Sequence, residues 1–268
     1  MKKSIRFAAL LLALTCLWGC AKTVETSPTE TTPTQPEPAP INTEELLVAA
    51  LEQEARVMIT GDIAMTKGAV VKGNLLDGGG HTLTAPVYDE ADIYSACGLF
   101  ITKGSIENVT VKGGHRGIGT NKENRVSDEV RIKNVELDGE NCGLYIAHGD
   151  KKSMLYVDNS RLGSQTVFAQ VGGANFTNCT FHWNASGTKG NMTAYTNVTI
   201  SDCHFENLVL DDGTVKLYTL QFPSKYDGLT MTLQDCYVGD TLITPENISS
   251  LLNVKPRNST IQVRNTGR

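Results

Sequence analysis

Six short segments of the chain share one order of apolar and polar positions: apolar, any residue, Asn or Asp, small or apolar, polar, apolar. They read IENVTV (106–111), IKNVEL (132–137), VDNSRL (157–162), FTNCTF (176–181), ISDCHF (200–205) and LQDCYV (233–238). The Asn/Asp positions 108, 134, 159, 178, 202 and 235 recur on average about every 25 residues. A second stretch travels with them, as CGLFI (97–101), RGIGT (116–120), CGLYI (142–146) and TVFAQ (166–170). Pieces this short and β-rich cannot bury an apolar face alone, so successive repeats must stack on one another. Strand alternation then directs Ile106, Val109 and Val111 inward, with a bend at Asn108 that resets the alternation. Asn108, Asn134, Asn159 and Asn178 fall at equivalent corners, where Asn tolerates left-handed backbone and its amide can bond the neighbouring repeat.

Helical spacing occurs chiefly at the start of this body. In NTEELLVAALEQEA (42–55), Asn42 or Thr43 can cap the helix and Glu44 and Glu45 fall in its first turn. Leu46, Leu47, Ala50, Leu51 and Glu54 follow its period. Such a helix would cover the bare edge of a stacked sheet. TPENISSLLNV (244–254) predicts a second short helix, and STIQVRN (259–265) a closing strand.

The repeat resembles the right-handed parallel β-helix of the pectate-lyase-like superfamily, with its asparagine ladder at one turn, over roughly residues 57 to 240. The resemblance implies an all-β fold: a single-stranded right-handed parallel β-helix (a solenoid) with an N-terminal capping helix. LDGGGHTLT (76–84) fits an early turn of such a fold, because glycine supplies positive φ at a sharp corner. A Walker loop would need Lys-Ser/Thr where His81-Thr82 stands, and a dinucleotide fingerprint would need a helix where HTLTA alternates like a strand.

Upstream, a basic start (Lys2, Lys3, Arg6) and an apolar run from Phe7 to Leu17 have the proportions of a signal peptide. That run is shorter than the roughly 20 residues a spanning helix needs. Leu17-Trp18-Gly19-Cys20 resembles the bacterial lipobox, which implies a signal peptide over 1–19 and a lipidated Cys20. The following segment holds five of the nine prolines. Its composition predicts a disordered, extended tether over residues 20–41, followed by the capping helix (42–56) and the β domain (57–268). Several Asn-x-Ser/Thr triplets read as by-products of ladder asparagines beside strand threonines.

Net charge is −5, and no Lys/Arg cluster follows residue 40, which argues against a nucleic-acid partner. Aligning the repeats gives one inward column, Val109, Val135, Ser160, Cys179, Cys203, Cys236. Its thiols read as buried hydrophobes. With Cys97 and Cys142 the body cysteines form an odd set without paired spacing, so no disulfide framework or metal cluster is expected. The outward columns run Glu107, Lys133, Asp158, Thr177, Ser201, Gln234 and Thr110, Glu136, Arg161, Thr180, His204, Tyr237. Opposite charges fall on adjacent repeats, Glu107 and Asp158 with Lys133, and Glu136 with Arg161. Lyases of the resembled fold present several carboxylates to Ca²⁺ beside an Arg or Lys base. Carboxylates alternating with cations do not make such a calcium cage.

The hydrolase signatures of that superfamily are incomplete: Asp211-Asp212 and Gly114-His115-Arg116 are present, but Asn-x-Asp is not. Asp211 or Asp212 with Glu206 is the carboxylate pair a hydrolase would use, against the plainer reading of a solvated DDG turn. Two polar loops interrupt the repeat. The loop at 119–129 brings Arg125, with Arg116 near His115; the one at 147–153 brings His148, Asp150, Lys151 and Lys152. Trp183, beside His182, is the single tryptophan after the leader, a modest aromatic platform. The expected protein is a lipid-anchored, extracytoplasmic bacterial surface lipoprotein. Its partners are the membrane, through the lipid, and an envelope component or glycan bound at Trp183, His204, Tyr237, Arg161 and Glu136. The alternative is a polysaccharide lyase or glycoside hydrolase using Asp211, Asp212, Glu206, His148, Asp150 or Lys151. No cofactor is expected, with Ca²⁺ entering only under the lyase alternative. A purely structural envelope component ranks third.

Overall fold

The computed structural model describes residues 40–87 and 96–267. The expected signal peptide, Cys20 and the tether up to residue 39 lie outside the described residues. Ala39–Arg268 forms one compact unit. It is mostly β, and its largest feature is a parallel sheet with thirteen strands hydrogen-bonded in series, nearly closed around an axis, as in a parallel β-solenoid or barrel.

Each repeat contributes one strand to each of three ladders. The first ladder passes through Arg116–Gly119, Cys142–Ile146, Gln165–Phe168, Asn191–Ala194, Thr219–Gln221 and Asn253–Lys255. The second passes through Val130–Lys133, Met154–Asp158, Gly173–Thr177, Val198–Ser201, Thr230–Gln234 and Thr260–Arg264. Two long strands, Ala69–Asp77 and Cys97–Glu107, belong to both ladders and merge them into one sheet. Each bends at a glycine with positive φ, Gly73 (106°) and Gly104 (96°). A Cβ on Gly104 would come within 2.4 Å of the Asn74 carbonyl oxygen, so the bend needs glycine there. The third ladder runs from Ile63–Ala64 through Thr110–Lys112, Glu136–Asp138, Arg161–Leu162, Thr180–Phe181 and His204–Phe205 to Tyr237–Val238. An antiparallel strand, Thr241–Leu242, closes its end.

The corner between the second and third ladders is set by the Asn/Asp positions of the repeat. Asn108, Asn134, Asn159, Asn178, Asp202 and Asp235 all have φ between 46° and 54°. Left-handed backbone costs most L-residues about 1–2 kcal/mol, a cost Asn and Asp reduce by local hydrogen bonding. Three of the amides are chained: Asn134 Nδ2 donates to Asn108 Oδ1 (2.6 Å), and Asn159 Nδ2 donates to Asn134 Oδ1 (3.2 Å). The chain begins on Asp77, whose Oδ1 accepts from Asn108 Nδ2 (3.0 Å). It ends at Asn178, which turns to Asp158 Oδ1 (3.5 Å) instead of Asn159. The triple-glycine stretch is a corner: Gly79 and Gly80 have φ of 60° and 81°, and His81 N donates to Gly78 O at 2.8 Å.

The inward column is buried along its length, from Val109 to Cys236, with no more than 4 % of any residue exposed. The five thiols, Cys97, Cys142, Cys179, Cys203 and Cys236, are all free and buried. Cys179 N donates to Cys203 Sγ at 3.2 Å. Farther along, aromatic rings fill the interior. Phe181 stacks on Phe205 (5.1 Å, 15°) and meets Phe176 edge-on (5.4 Å, 64°). Each such pair contributes about 0.5–1.5 kcal/mol beyond its area.

The helix expected over 42–55 spans Glu44–Gln53, with Thr43 Oγ1 accepting from Leu46 N. Leu47, Ala50 and Leu51 are buried, whereas Leu46 is 43 % exposed and Glu54 is exposed. A ten-residue helix laid across a sheet presents only one narrow i, i+3, i+4 stripe to it. The second helix is one turn, Ile248–Leu251, shorter than the sequence suggests. Asn247 explains the loss, because its side chain ties a turn by accepting from Thr244 N and donating to Leu242 O. The closing strand is Thr260–Arg264.

Candidate functional site

The outward side of the third ladder carries two columns of functional groups. The first is in the register the sequence predicts: Thr110 pairs with Glu136, Glu136 with Arg161, Arg161 with Thr180, Thr180 with His204, and His204 with Tyr237. The second lies two residues farther along each strand, where Lys112 pairs with Asp138 and His182 and Glu206 follow Phe181 and Phe205. Leu137, Leu162, Phe181 and Phe205 between the columns point inward and are fully buried. The polar columns therefore stand on a rigid floor.

Arg161 is the centre of this face. Its guanidinium makes a two-pronged bond to Glu206, with Nη1 2.8 Å from Oε1 and Nη2 3.1 Å from Oε2. The expected placement of Glu136 beside Arg161 holds in the register, while the carboxylate that Arg161 grips is Glu206. Glu136 is the register neighbour, but the planar fork selects a carboxylate it can meet edge-on, and short Thr180 leaves the path to Glu206 open. Hydrogen bonding and charge from Arg161 hold the Glu206 carboxyl below its usual range. Glu206 first, with Glu136 and Asp138 adding, raises the pKa of Arg161. The pairing of Lys133 with Glu107 and Asp158 is likewise in register. No ion pair joins them among the described residues.

His182 stands beside this pair, over the backbone of Gly163, where an added Cβ would lie 2.6 Å from its Cε1. Its Nδ1 is 2.8 Å from the Trp183 carbonyl oxygen. A carbonyl only accepts, so Nδ1 holds the proton and Nε2 keeps a lone pair, shielded and without a hydrogen-bond partner. Burial, then the charge of Arg161, pushes its pKa down. Farther along, the rings of His204 and Tyr237 stack at 5.2 Å and 17°.

Clefts border the face on both sides. One, of about 350 Å³, follows the asparagine corner and is lined by Asn108, Asn134, Asn159 and Asn178 together with Thr110, Glu136, Arg161 and Thr180. The other, of about 440 Å³, is lined by Asp138, Gly139, Glu140, Asn184, Ala185 and Ser186 with Gly113. Amides, hydroxyls, carboxylates and one guanidinium thus lie beside a flat aromatic pair. That mixture suits a ligand rich in hydroxyl groups, with polar groups fixing orientation and rings offering a surface for stacking. Among the described residues, no group of three or more His, Cys, Asp or Glu is placed to hold a metal ion.

The remaining candidates are dispersed. Trp183 is half-buried against the core with its ring over Gly190, and Lys216 Nζ is 5.9 Å from the ring centroid. Asp211 and Asp212 lie at the tip of an exposed hairpin, Leu208–Val209 with Val215–Lys216, where Asp212 Oδ1 accepts from Thr214 N. Glu206, their suggested carboxylate partner, is engaged by Arg161 instead. Asp150 and Lys151 form an exposed turn in which Asp150 Oδ1 accepts from Lys152 N. His148 lines a separate cavity with residues 121–124. Arg116 is buried and stacked 3.6 Å over the Tyr145 ring, and Arg125 donates to Gly149 O.

Sequence reasoning missed Asp138 and His182 as members of the face and Glu206 as the partner of Arg161. The signal for the first two was present, since the alternation that marks Arg161 as outward marks the position two residues later as outward as well. No helix among the described residues is long and apolar enough to cross a membrane. Comparison with known proteins finds no matching family model, and no significant match among curated proteins or solved structures.

Proposed function

We propose that this chain is an extracytoplasmic bacterial lipoprotein, anchored in the cell envelope through lipid on Cys20, that binds a glycan on the outer face of its third ladder. In this reading the repeats wind as one single-stranded right-handed parallel β-helix, and the segment before the capping helix is a tether. The observation that carries the binding role is the face itself: Arg161 locked to Glu206, the amide-lined cleft beside them, and the stacked rings of His204 and Tyr237. Groups fixed in this way lose little freedom when a ligand arrives.

A second reading is a polysaccharide lyase or glycoside hydrolase acting at the same place. It is favoured by the three carboxylates Glu136, Asp138 and Glu206 and the bare Nε2 of His182 gathered about Arg161. Calcium belongs to this reading alone. One experiment separates the two: a polysaccharide panel offered to the full chain, with bound ligand and released product both measured at varied Ca²⁺. Binding without product, weakened tenfold or more by Tyr237→Ala, supports the adhesion reading. Product release abolished by Arg161→Met supports the enzyme. Anchoring is tested separately, since Cys20→Ala should release the protein from membranes, and unchanged partitioning would defeat the lipid assignment.

A further inference from the structure

A cavity of about 500 Å³ lies on the outer side of the first ladder, away from the residues of the glycan face. Its floor is apolar. Val70 and Phe100 are register neighbours on adjacent strands. The Phe100 ring rests against the backbone of Gly68, where an added Cβ would lie 2.5 Å from Cε2. Its rim is polar and predominantly cationic: Lys67 on one side, and Asn121, Lys122, Glu123 and Asn124 on the other, with His148.

The rim is held in place. Glu44 of the capping helix accepts from Thr66 N, Thr66 Oγ1 and Lys67 N at 2.6–2.7 Å, so its charge is engaged by the chain. Asn121 Oδ1 accepts from Glu123 N (3.0 Å) and Asn124 N (2.6 Å), fixing the loop that carries Lys122. His148 N donates to Thr120 Oγ1, while its Nδ1 is shielded and without a hydrogen-bond partner. Burial, then the charges of Arg125, Arg116 and Lys122, pushes the pKa of this ring down. Among the described residues, Glu123 is the only carboxylate that lines the cavity, against Lys67 and Lys122, with Glu44 behind Lys67, in a chain whose net charge is −5. A volume of this size, an apolar floor and a few converging polar groups are the general features of a small-molecule site.

We infer that this cavity binds a small organic anion with a flat apolar body, the body lying on Phe100 and Val70 and the anionic group meeting Lys67 and Lys122. An apolar body alone would make no use of the exposed ammonium groups of Lys67 and Lys122. A bare inorganic anion would make no use of the apolar lining of Val70 and the edge of Phe100. A ligand with both parts uses both surfaces.

Three probes that share a phenyl ring and differ in the charge of the terminal group test this by calorimetry on the full chain: phenylacetate, 2-phenylethanol and 2-phenylethylamine. Phenylacetate should bind at least tenfold tighter than the alcohol, and the amine should bind weakest. The double variant Lys67→Met/Lys122→Met keeps the apolar stems and removes the charges. Both residues are exposed, so its circular dichroism should match the parent. It should bind phenylacetate no better than the alcohol, with 2-phenylethanol affinity unchanged. Gly68→Val, which pushes into the Phe100 ring, should weaken all three probes. No binding of phenylacetate, equal affinity for acid and alcohol, or a preference that survives the double substitution would each overturn the inference.

Discussion

Asn134 gives the sharpest test of how the repeats are held together. Its backbone sits at φ 53°, its Nδ2 donates to Asn108 Oδ1 at 2.6 Å, and its Oδ1 accepts from Asn159 Nδ2 at 3.2 Å. The residue is exposed, so each bond is worth the lower part of the usual range, about 0.5–1 kcal/mol. Asn134→Ala removes both bonds and keeps a Cβ in left-handed backbone without the local hydrogen bonding by which Asn offsets that conformation, costing about 1–2 kcal/mol more. Together these give about 2–4 kcal/mol. Asn134→Gly removes the same bonds but relieves the backbone, with part of that relief offset by the greater chain entropy of glycine, about 0.5–1 kcal/mol. The glycine variant should therefore be more stable than the alanine variant by about 0.5–1 kcal/mol, although it has the smaller side chain. Urea unfolding followed by circular dichroism reads the difference. With a slope of about 3 kcal/mol per molar, the alanine variant should unfold about 0.7–1.3 M earlier than the parent, and the glycine variant should fall between them. An alanine variant as stable as the glycine variant, at unchanged slope, would refute the account of the corner.

Three further outcomes follow from the interior and the site. Phe181→Ala should cost about 3–5 kcal/mol, since it empties space beneath the stack with Phe205 and the edge contact with Phe176; thermal unfolding of parent and variant would reveal it. The pair between Arg161 and Glu206 should stabilise the fold only while Glu206 is ionised. Its folded pKa lies below the unfolded value of about 4.3, so the contribution is present above that pH and fades as pH falls through the folded pKa. The melting-temperature gap between parent and Glu206→Gln should accordingly close on acidification, and a gap independent of pH would contradict it. Cys97 and Cys142, whose thiols burial pushes up to about 12, should resist native-state alkylation until the chain is unfolded, as resolved by peptide mass spectrometry.

The register of the second and third ladders was legible because two signals coincide there. One face of each strand is buried, so apolar positions alternate, and Asn or Asp marks the corner at which the alternation restarts. That is why Glu136 and Arg161, or His204 and Tyr237, could be placed side by side by aligning the repeats. The first ladder was harder to read. Arg116–Gly119 is buried at all four positions, because its outward side is covered as well as its inward side, and the alternation disappears. The site was legible column by column but not in its pairing. Arg161 reaches Glu206, 45 positions later, across the strand that carries Thr180, and such reach is a property of side-chain length that a repeat pattern does not record. His182 was masked by its neighbour Trp183, the more conspicuous residue, although it is the histidine that faces Arg161.

The link from Arg161 to Glu206 also bears on how such a chain can change its length over evolutionary time. An array built of 25-residue floors can in principle gain or lose a storey by duplication or excision, since each floor meets only the ones above and below it. The Arg161–Glu206 strut passes over one whole floor and fits that single clearance. A duplication between these residues would leave the guanidinium a storey short of its carboxylate, and an excision would collapse the strut. Insertions below Arg161 would lengthen the stack and leave the strut untouched. Descendants of this sequence should therefore vary in height outside residues 161–206 and keep that interval at constant count.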